Sequence, residues 1–482
     1  MSSLDPAALI NVLPEILLVV LALMVMGLDL LWPAGRKRDL GLVSAAGMIV
    51  VLIASFLWPG DGQPVWGGMI QADLLARLFR ILFLVAGILT SLISMDMKGL
   101  KQEGEYYAMI IIATMGMGLM ATANDFLMLY VAMEMTSITQ YLLVGYMRRE
   151  ARSVEAGIKY FLFGAVTSTV MLFGLSFFYG FTGQTNYAGV RMGLFNPAID
   201  TGAVLVALIL IAVGFGFKIA AVPFHFWTPD TYEGAPTPVT AFISVASKAA
   251  GFAVLFRVLN VVFPVGVPQS EWTNLMETLA IVTMTLGNVL AIPQTNIKRL
   301  LAYSSIAQAG YVLIGVAAVS SLGVASALFY LAVYVITNIG AFAGVIAVAN
   351  RLGSDDIRAF AGLSRRSPYL ALMILVAFLS LGGVPPTAGF VGKLFLFQAA
   401  VGQGLIRLAV IGVLNVIVGL YYYLMVLKVM YVDRGEEEVE VPVSAPLAWT
   451  LAVSAAGVML LGIFAHPWYN IALRAAAVLF PG

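Results

Sequence analysis

The sequence predicts an all-α polytopic membrane protein with about fourteen transmembrane helices. The 482-residue chain is 61% hydrophobic and only 11% charged, and its mean hydropathy is +0.97. Apolar stretches of about 18 residues or more, the length of a membrane-spanning helix, recur from one end to the other. Lysine and arginine are distributed unevenly between alternate loops. A soluble domain of this length carries far more polar surface, so the membrane class is the one the composition indicates.

The predicted spans alternate with short polar loops. They are 9–32, 39–58, 74–96, 107–122, 125–146, 154–180, 202–222, 238–263, 273–292, 302–318, 322–349, 369–402, 404–430 and 446–465. Of the 26 lysines and arginines, 16 fall in or beside loops on one side, Lys101, Lys298 and Arg299 among them, and 6 fall on the other. Cytoplasmic loops are enriched in basic residues. We therefore expect a multi-pass protein of the cell (inner or plasma) membrane with an uncleaved first span and both termini on the outer, periplasmic side.

Composition also limits the chemistry of the chain. It has no cysteine, which excludes thiolate-held iron–sulfur clusters and cysteine nucleophiles. Its two histidines, His225 and His466, are too few for bis-histidine haem or a histidine-based metal cluster. A net charge of +1 argues against nucleic acid as a partner. Any redox reaction linked to this chain is expected on another subunit.

Two predicted spans contain helix-breaking residues. The stretch FGFKIAAVPFHFWTPDTYEGAPTP carries Pro223 in its apolar part, and LSLGGVPPTAGFVGKLFLF carries Gly382–Gly383 and Pro385–Pro386. Non-helical backbone at membrane depth is tolerated only where protein buries it or where it lines a wet cavity. Interrupted spans in matching positions of two halves are typical of the transport site of a repeat-built transporter.

A weak internal repeat accompanies the two breaks. Residues 157–174 align with 327–344 at an offset of 170, and Val222-Pro223 aligns with Val384-Pro385 at an offset of 162. The matched elements are spans 6 and 11 and spans 7 and 12, five places apart in the order of spans. An odd difference reverses the direction of crossing, so the repeats are expected to be inverted, each with one discontinuous helix. The predicted units are helices 1–3 in 1–103, a first repeat of helices 4–8 in 104–264, a second repeat of helices 9–13 in 265–430, and a C-terminal loop with helix 14 in 431–482.

Five ionisable residues lie inside predicted spans, namely Glu134, Lys159, Lys218, Lys248 and Lys393. Each costs about 2.5–3.5 kcal/mol at mid-membrane and should face protein or water. Burial in general lowers the pKa of a lysine and a nearby carboxylate raises it, so such a lysine can exchange protons. We therefore expect Glu134 and Lys218 to form a proton-exchanging pair, Lys248 to be the next site, and Lys393 to serve the opposite face.

Two roles are possible for each of several other polar residues. His225 follows the first break and is expected to relay protons between Lys218 and Lys248, or to be a core histidine bonded to a free carbonyl. Lys159 is either functional or a lysine that snorkels to the headgroups, and Glu134–Lys218 is alternatively a structural ion pair. Glu15 and Asp29 are expected near the membrane faces. The polar residues expected to hold water between the lysines are Asn288, Tyr303, Ser304, Gln308, Tyr330 and Asn338.

Four stretches of the sequence are distinctive, namely HFWTPDTYEGAPTP, NDFLMLYVAMEMTSITQYLLVGY, NIKRLLAYSSIAQAGYVLIG and GGVPPTAGFVGKLFLF. Together they resemble the antiporter-like membrane subunits of complex I, the proton-pumping NADH-quinone oxidoreductase. The resemblance covers roughly residues 107 to 400 and is most specific to the subunit N family. In this family subunit M typically carries glutamate where this chain has Lys393. Subunits of multi-subunit cation/proton antiporters share the lysines without the TPDTYEGAPTP motif.

The resemblance implies proton translocation driven by quinone reduction in neighbouring subunits. It carries the functional positions onto Glu134, Lys159, Lys218, His225, Lys248 and Lys393. It implies no cofactor or metal on this chain, with NADH, FMN, iron–sulfur clusters and quinone on partner subunits. The implied partners are other membrane subunits of the complex, homologous antiporter-like subunits and small membrane subunits among them. A cation/proton antiporter subunit and a structural membrane spacer remain the alternatives.

Overall fold

Helices account for nearly all of the chain in the computed structural model, which describes residues 6–57, 62–100, 103–263, 267–435 and 439–480. A β-hairpin in these ranges pairs β1 (Pro64–Val65) with β2 (Ile70–Gln71), and a π-helical turn covers Ile243–Ser247. Short 3-10 helices lie at Ala34–Asp39, Ile357–Phe360 and Ala477–Leu479. The α-helices of the described ranges are α1 (Pro6–Asn11), α2 (Leu13–Leu31), α3 (Leu40–Leu57), α4 (Leu74–Ser94), α5 (Glu103–Thr122), α6 (Phe126–Val144), α7 (Ala151–Thr182), α8 (Tyr187–Leu194), α9 (Thr201–Ile219), α10 (Trp227–Gly234), α11 (Thr237–Phe242), α12 (Lys248–Val262), α13 (Val267–Ala291), α14 (Ile297–Ala317), α15 (Ser321–Leu352), α16 (Leu363–Arg366), α17 (Pro368–Gly382), α18 (Ala388–Gly402), α19 (Ile406–Tyr431), α20 (Ala445–Ile463) and α21 (Ala465–Ala476).

Thirteen helical segments of the described chain are long and apolar enough to cross a membrane. The helices α17 and α18 are also apolar but have only 15 residues each. At 1.5 Å per residue each is about 22 Å long, shorter than the hydrocarbon core of about 30 Å. Together they make one interrupted span, so the predicted count of fourteen is confirmed. The single span predicted at 369–402 is divided into two helices.

Helix α14 begins earlier than the sequence pattern predicts. It starts at Ile297 rather than at residue 302, because the Asn296 side chain accepts hydrogen bonds from the backbone N–H groups of Lys298 and Arg299 and so caps the helix. The side chain of Lys298 is only 4% exposed. The expectation that Lys298 is a loop lysine is therefore wrong. Lys101, which was counted with the same loops, lies outside the described residues.

The two predicted repeats have matching helix ends. Helices α7 and α15 both contain 32 residues, and they end at Gly183 (φ +66°) and Gly353 (φ +68°), which are 170 positions apart. Helices α9 and α17 end before Ala220 (φ +58°) and Gly383 (φ +78°), both left-handed and 163 positions apart, one more than the predicted offset of 162. Four spans lie between the members of each pair, so the second copy crosses in the opposite direction.

Both predicted breaks are present. The backbone leaves helical geometry between α9 and α10 and again between α17 and α18, and the two interruptions contain the cis bonds Val222-Pro223 and Pro385-Pro386. At the second break the chain folds back tightly enough that a Cβ on Gly389 would lie 1.8 Å from the carbonyl oxygen of Ser380. Only glycine fits there.

The interior of the bundle consists of three spans near the middle of the sequence. The segment Thr237–Val262 is fully buried within the chain, and 94% of α14 and 89% of α15 are buried over the window that would cross the membrane. The corresponding fractions are 39% for α19 and 28% for α20, which lie at the outside. Polar side chains on α12, α14 and α15 are therefore shielded from lipid by this chain itself.

Candidate functional site

Three of the predicted lysines are buried, and each lies close to an irregularity in its helix. Lys218 is in the last turn of α9, Lys248 directly follows the π-helical turn, and Lys393 lies in α18 shortly after the second break. Their exposed fractions are 2%, 2% and 4%. An irregular helix end leaves backbone carbonyls free, and these, with nearby hydroxyls, provide the polar surroundings that an ammonium group needs inside a membrane protein.

Lys218 is held by helix α6. Its Nζ donates to Ser137 Oγ at 3.1 Å and lies 3.5 Å from Gln140 Oε1. Glu134, one turn before Ser137, was expected to pair with Lys218, but within the described ranges the two side chains form no direct ion pair. Instead, Oε1 of Glu134 is buried without a hydrogen-bond partner there. The carboxylate therefore acts on Lys218 only through space, with Ser137 between them.

Gln140 connects the surroundings of Lys218 to those of Lys248. Its Oε1 accepts from Ser247 Oγ at 2.9 Å and from the hydroxyl of Tyr160 at 3.2 Å. Ser247 is the last residue of the π-helical turn and immediately precedes Lys248. One amide oxygen thus joins α6, α7, α9 and the start of α12.

Lys248 is bound by α14. Its Nζ donates to Ser305 Oγ at 2.6 Å and to the Ser305 carbonyl at 2.9 Å. The Ser305 hydroxyl also meets the hydroxyls of Tyr232 (3.2 Å) and Tyr334 (2.8 Å). No carboxylate forms an ion pair with Lys248 in the described part of the chain, so its charge is stabilised by neutral dipoles alone.

From α14 the hydrogen bonds continue to Lys393. Ser304 bonds to the hydroxyl of Tyr423, which accepts from Gln308 Nε2 at 3.2 Å. Gln308 Nε2 and Lys393 Nζ both donate to the carbonyl of Leu381, at 3.2 and 2.7 Å. This carbonyl is free because α17 ends beside it. Two steps of this line, from Ser247 to Lys248 and from Ser305 to Ser304, join neighbours along the chain, and the others are polar contacts between side chains or with a carbonyl. We refer to the whole line as the polar axis, whose members in order are Lys218, Gln140, Ser247, Lys248, Ser305, Ser304, Tyr423, Gln308, Leu381 and Lys393.

Other residues expected to hold water lie on or beside the polar axis. Tyr330 donates to Gln308 Oε1, and Asn338 Nδ2 donates to Ser244 Oγ at 2.7 Å. Asn288 donates to the hydroxyl of Tyr311 at 3.2 Å, and the Tyr311 ring centroid lies 4.7 Å from Lys393 Nζ. Tyr303 is half-buried, and no hydrogen bond from it joins the described axis.

His225 lies in the first break and is not on the polar axis. Its ring is 4% exposed and packs against Phe226 with 4.5 Å between ring centroids. Its Nδ1 is buried without a hydrogen-bond partner among the described residues. The side chain therefore makes no direct contact of the kind expected of a relay between Lys218 and Lys248.

Lys159 is placed at the surface in a cluster of charges. Its Nζ lies 2.7 Å from Asp230 and 2.8 Å from Glu155, and its side chain is 39% exposed. Arg299 also binds Asp230 (2.9 Å) and Glu233 (2.8 Å). Partial burial alone would raise the pKa of Asp230, but its hydrogen bonds to Lys159 and Arg299 outweigh that and hold the pKa below its usual value. Lys159 is thus separate from the three buried lysines.

Two buried ion pairs lie outside the polar axis. Arg80 binds Glu15 at 2.8 Å, and Arg257 binds Asp73 through two bonds of 2.8 and 2.9 Å. Glu15 is near the start of α2, as expected of a residue close to a membrane face, yet it is only 5% exposed and points into the protein. These pairs brace α4 against α2 and α12.

The residues that sequence reasoning missed are mostly neutral. They are Ser137, Gln140, Ser247, Ser305, Tyr423, Tyr232 and Tyr334. Helical spacing offered a partial signal, because Ser137 and Gln140 follow Glu134 by one and two turns and Ser305 and Gln308 share a face of α14. Among charged residues, Lys298 was missed because it stands at a helix start.

Known proteins share the sequence and the fold of this chain. The family model described as NADH:quinone oxidoreductase/Mrp antiporter, TM matches residues 123–419. NADH-quinone oxidoreductase subunit N of Moorella thermoacetica is 44% identical over 470 residues, covering 97% of this chain and 98% of that protein. A chain of respiratory complex I from Thermus thermophilus with bound Aureothin is similar with a TM-score of 0.79 at 31% identity, covering 95% of this chain and 98% of that one.

A more distant similarity concerns the fold alone. A chain of the Mrp complex from Dietzia sp. DQ12-45-1b has a TM-score of 0.86 at 22% identity, over 98% of each chain. The match of the family model extends from just before α6 into α19 and includes every member of the polar axis except Tyr423. The chain belongs to the NADH:quinone oxidoreductase/Mrp antiporter membrane family and, within it, to the subunit N family of NADH-quinone oxidoreductase.

Proposed function

We propose that this multi-pass membrane protein translocates protons as the antiporter-like subunit N of a respiratory NADH-quinone oxidoreductase. The observation that carries the proposal is the polar axis, which connects three buried lysines through the centre of a largely apolar bundle. Burying three ammonium groups is costly and contributes nothing to packing. Such a cost is expected where the groups gain and lose protons during function.

The lysines respond to one another through their charge. A protonated lysine disfavours protonation of the next one, and a carboxylate such as Glu134 favours it. Lys248 has neutral partners in the described structure, so its protonation depends on whether Lys218 on one side and Lys393 on the other carry charge. A change in charge at one end of the polar axis is thereby passed to the other end.

The driving force must come from outside this chain. Moving one charge against a membrane potential costs about 2.3 kcal/mol per 100 mV. We assign the source to partner subunits of the complex that carry NADH, FMN, iron–sulfur clusters and quinone. The chain is in contact with other membrane subunits of that complex, and quinone reduction in a neighbour changes the charge at the first end of its axis.

The remaining predicted residues have supporting roles in this proposal. Glu134 adjusts Lys218 through space, Lys393 serves proton release beyond the second break, and the unpaired Nδ1 of His225 receives a proton by way of water. Lys159 belongs to the surface charge cluster with Asp230 of α10, and its role in proton transfer stays a prediction. The predicted units 1–103, 104–264, 265–430 and 431–482 and the periplasmic position of both termini belong to the same proposal.

The test is Lys218→Ala in the assembled complex, with Lys428→Ala as the matched control because Lys428 is an exposed lysine at the end of α19. Quinone reduction and proton uptake are measured together in membrane vesicles. Lys218→Ala should strongly reduce proton translocation, and Lys428→Ala should leave it unchanged. Normal pumping by a fully assembled Lys218→Ala complex would refute the proposed role.

A cation/proton antiporter subunit is the second candidate, favoured by the shared fold of the Dietzia Mrp chain. It predicts sodium-dependent proton exchange in vesicles that receive no electron donor. The same vesicles with NADH and a quinone separate the two, because the first proposal requires electron transfer and the second does not.

A further inference from the structure

Lys298 is a fourth buried lysine, and it binds the end of a half-helix. Its Nζ donates to the carbonyl oxygens of Glu233 at 2.7 Å and Ala235 at 2.8 Å. These carbonyls lie at the C-terminal end of α10, the short helix that follows the first break. A cation there satisfies carbonyls that have no partner within the helix and interacts favourably with the helix dipole.

Further contacts join the same two helices. Arg299 binds the carboxylates of Asp230 and Glu233, both on α10, and the hydroxyl of Tyr232 on α10 meets Ser305 Oγ on α14. We refer to the contacts of Lys298, Arg299 and Ser305 with α10 as the α10 clamp. Every one of them connects a helix of the second repeat to the discontinuous helix of the first.

The α10 clamp shares a residue with the polar axis. Ser305 follows Lys298 by seven residues, which is two helical turns, so both side chains project from the same face of α14. Ser305 is the residue that binds Lys248 Nζ through both its hydroxyl and its carbonyl. The position of α10 on α14 therefore sets the position of Tyr232 beside the acceptor of Lys248.

The clamp has no counterpart in the other half of the chain. At the repeat offset of 170 the positions equivalent to Lys298 and Arg299 are Met128 and Leu129, which have no charge. The half-helix α18, equivalent to α10, packs instead against α14 and α15 of its own repeat. The two cations therefore occur in one repeat and not at the equivalent positions of the other, so the packing shared by the two repeats does not require them.

We propose that Lys298 is a positioning residue for proton transfer at Lys248. It fixes α10 against α14, so that Tyr232 and Ser305 keep Lys248 at its place on the polar axis. The inference rests on the proposed function, because it assumes that Lys248 gains and loses a proton. The other titratable groups near Lys248 are Tyr232 from α10, Tyr334 from α15 through the shared Ser305 hydroxyl, and His225 from the break, while Lys218 of α9 packs against Gly251, one turn further along α12.

The experiment compares Lys298→Met and Lys298→Arg in the intact complex, with Lys428→Met as the matched control. The quantities measured are the amount of assembled complex, the ratio of protons to electrons, and the pH profile of pumping. Lys298→Met should assemble, lower the ratio and displace the pH profile by about one pH unit, the equivalent of one lost hydrogen bond. Lys298→Arg should restore most of the ratio, and Lys428→Met should match the wild type.

A second variant guards against a folding defect. Tyr232→Phe removes only the hydroxyl that meets Ser305 and should displace the pH profile in the same direction as Lys298→Met. An unchanged ratio and profile in both assembled variants would overturn the inference. Failure of both to assemble would overturn it too, because the contacts would then hold the subunit together rather than tune Lys248. Lys248→Ala, measured alongside, separates the two proposals. If Lys248→Ala pumps normally, the proposed function fails. If Lys248→Ala fails to pump while Lys298→Met pumps normally, only the positioning role of Lys298 fails.

Discussion

Replacement of Gln140 by leucine is the most direct test of the polar axis. Leucine has nearly the same size but cannot accept the bonds from Ser247 and Tyr160 or the long contact from Lys218. A hydrogen bond to a charged group contributes about 1.5–3 kcal/mol. Since the Lys218 contact is 3.5 Å long, we take the lower end, about 1.5 kcal/mol, which corresponds to a roughly tenfold slower transfer step. The two orphaned hydroxyls add a stability cost of about 1–3 kcal/mol each.

The assay is coupled turnover of the assembled complex in sealed vesicles. Quinone reduction and acidification are recorded with and without an uncoupler, so that a slow proton step is distinguished from a loss of electron transfer. Gln294→Leu is the matched control, because Gln294 lies in the connection after α13 and its side chain donates to the Leu290 carbonyl, away from the polar axis. The control should retain wild-type coupled turnover.

The reasoning fails if Gln140→Leu assembles in normal amounts and pumps at the wild-type rate. In that case Gln140 would fill space between four helices without connecting Lys218 to Lys248. A parallel loss in the Gln294→Leu control would instead point to a general effect of removing an amide from the bundle, and it would equally refute a special role for Gln140.

Two further predictions concern packing and the charged cluster. Gly310→Ala should reduce the amount of subunit in the membrane, because the new Cβ would lie 2.6 Å from the backbone nitrogen of Met284 and push α13 away from α14. The amount is measured by immunoblotting, with Gly180→Ala as the control because its Cβ would meet no atom within 4 Å. Equal amounts of the two variants would contradict the prediction. The stabilisation from Asp230 should stay constant between about pH 5 and about pH 8, because a carboxyl whose folded pKa lies below the unfolded value of about 3.9 loses its contribution only as the pH falls through the lower value. Thermal unfolding of wild type and Asp230→Asn over that range measures it, and a gap that narrows above pH 5 would be inconsistent with the lowered pKa.

The fold was largely predictable because the membrane restricts what a sequence can do. Apolar length gave the spans, and proline with glycine gave the interruptions around Pro223 and Pro385, since these residues break helices in any context. The offset of 170 between α7 and α15 was also visible. The start of α14 was less predictable. Lys298 is a charged residue of the kind common in loops, and only the packed structure shows that its side chain is buried.

The candidate site was predictable in its charged members but only in part in its neutral ones, of which Ser304 and Gln308 were expected. Lysines inside apolar spans are conspicuous, so Lys218, Lys248 and Lys393 were found from the sequence. Serines and tyrosines occur on many apolar helices, where most bond to their own backbone, so Ser305 and Tyr423 carried no distinguishing signal. Glu134 and Lys218 were expected to be in contact, but their side chains form no direct ion pair. The sequence assigns the two residues to different helices without fixing at what height along those helices they lie, so it could not predict this.

The two glutamines on the polar axis have a consequence for what travels along it. A hydroxyl can accept a hydrogen ion on one side and release another, but a neutral carboxamide does not readily do so. Gln140 and Gln308 occupy two of the links between the lysines, and side chains alone therefore offer no continuous wire from Lys218 to Lys393. An electrostatic effect needs no proton transfer at the two glutamines, so the polar axis suits the transmission of a change in charge. The hydrogen ions themselves would then cross by separate, shorter routes at each lysine.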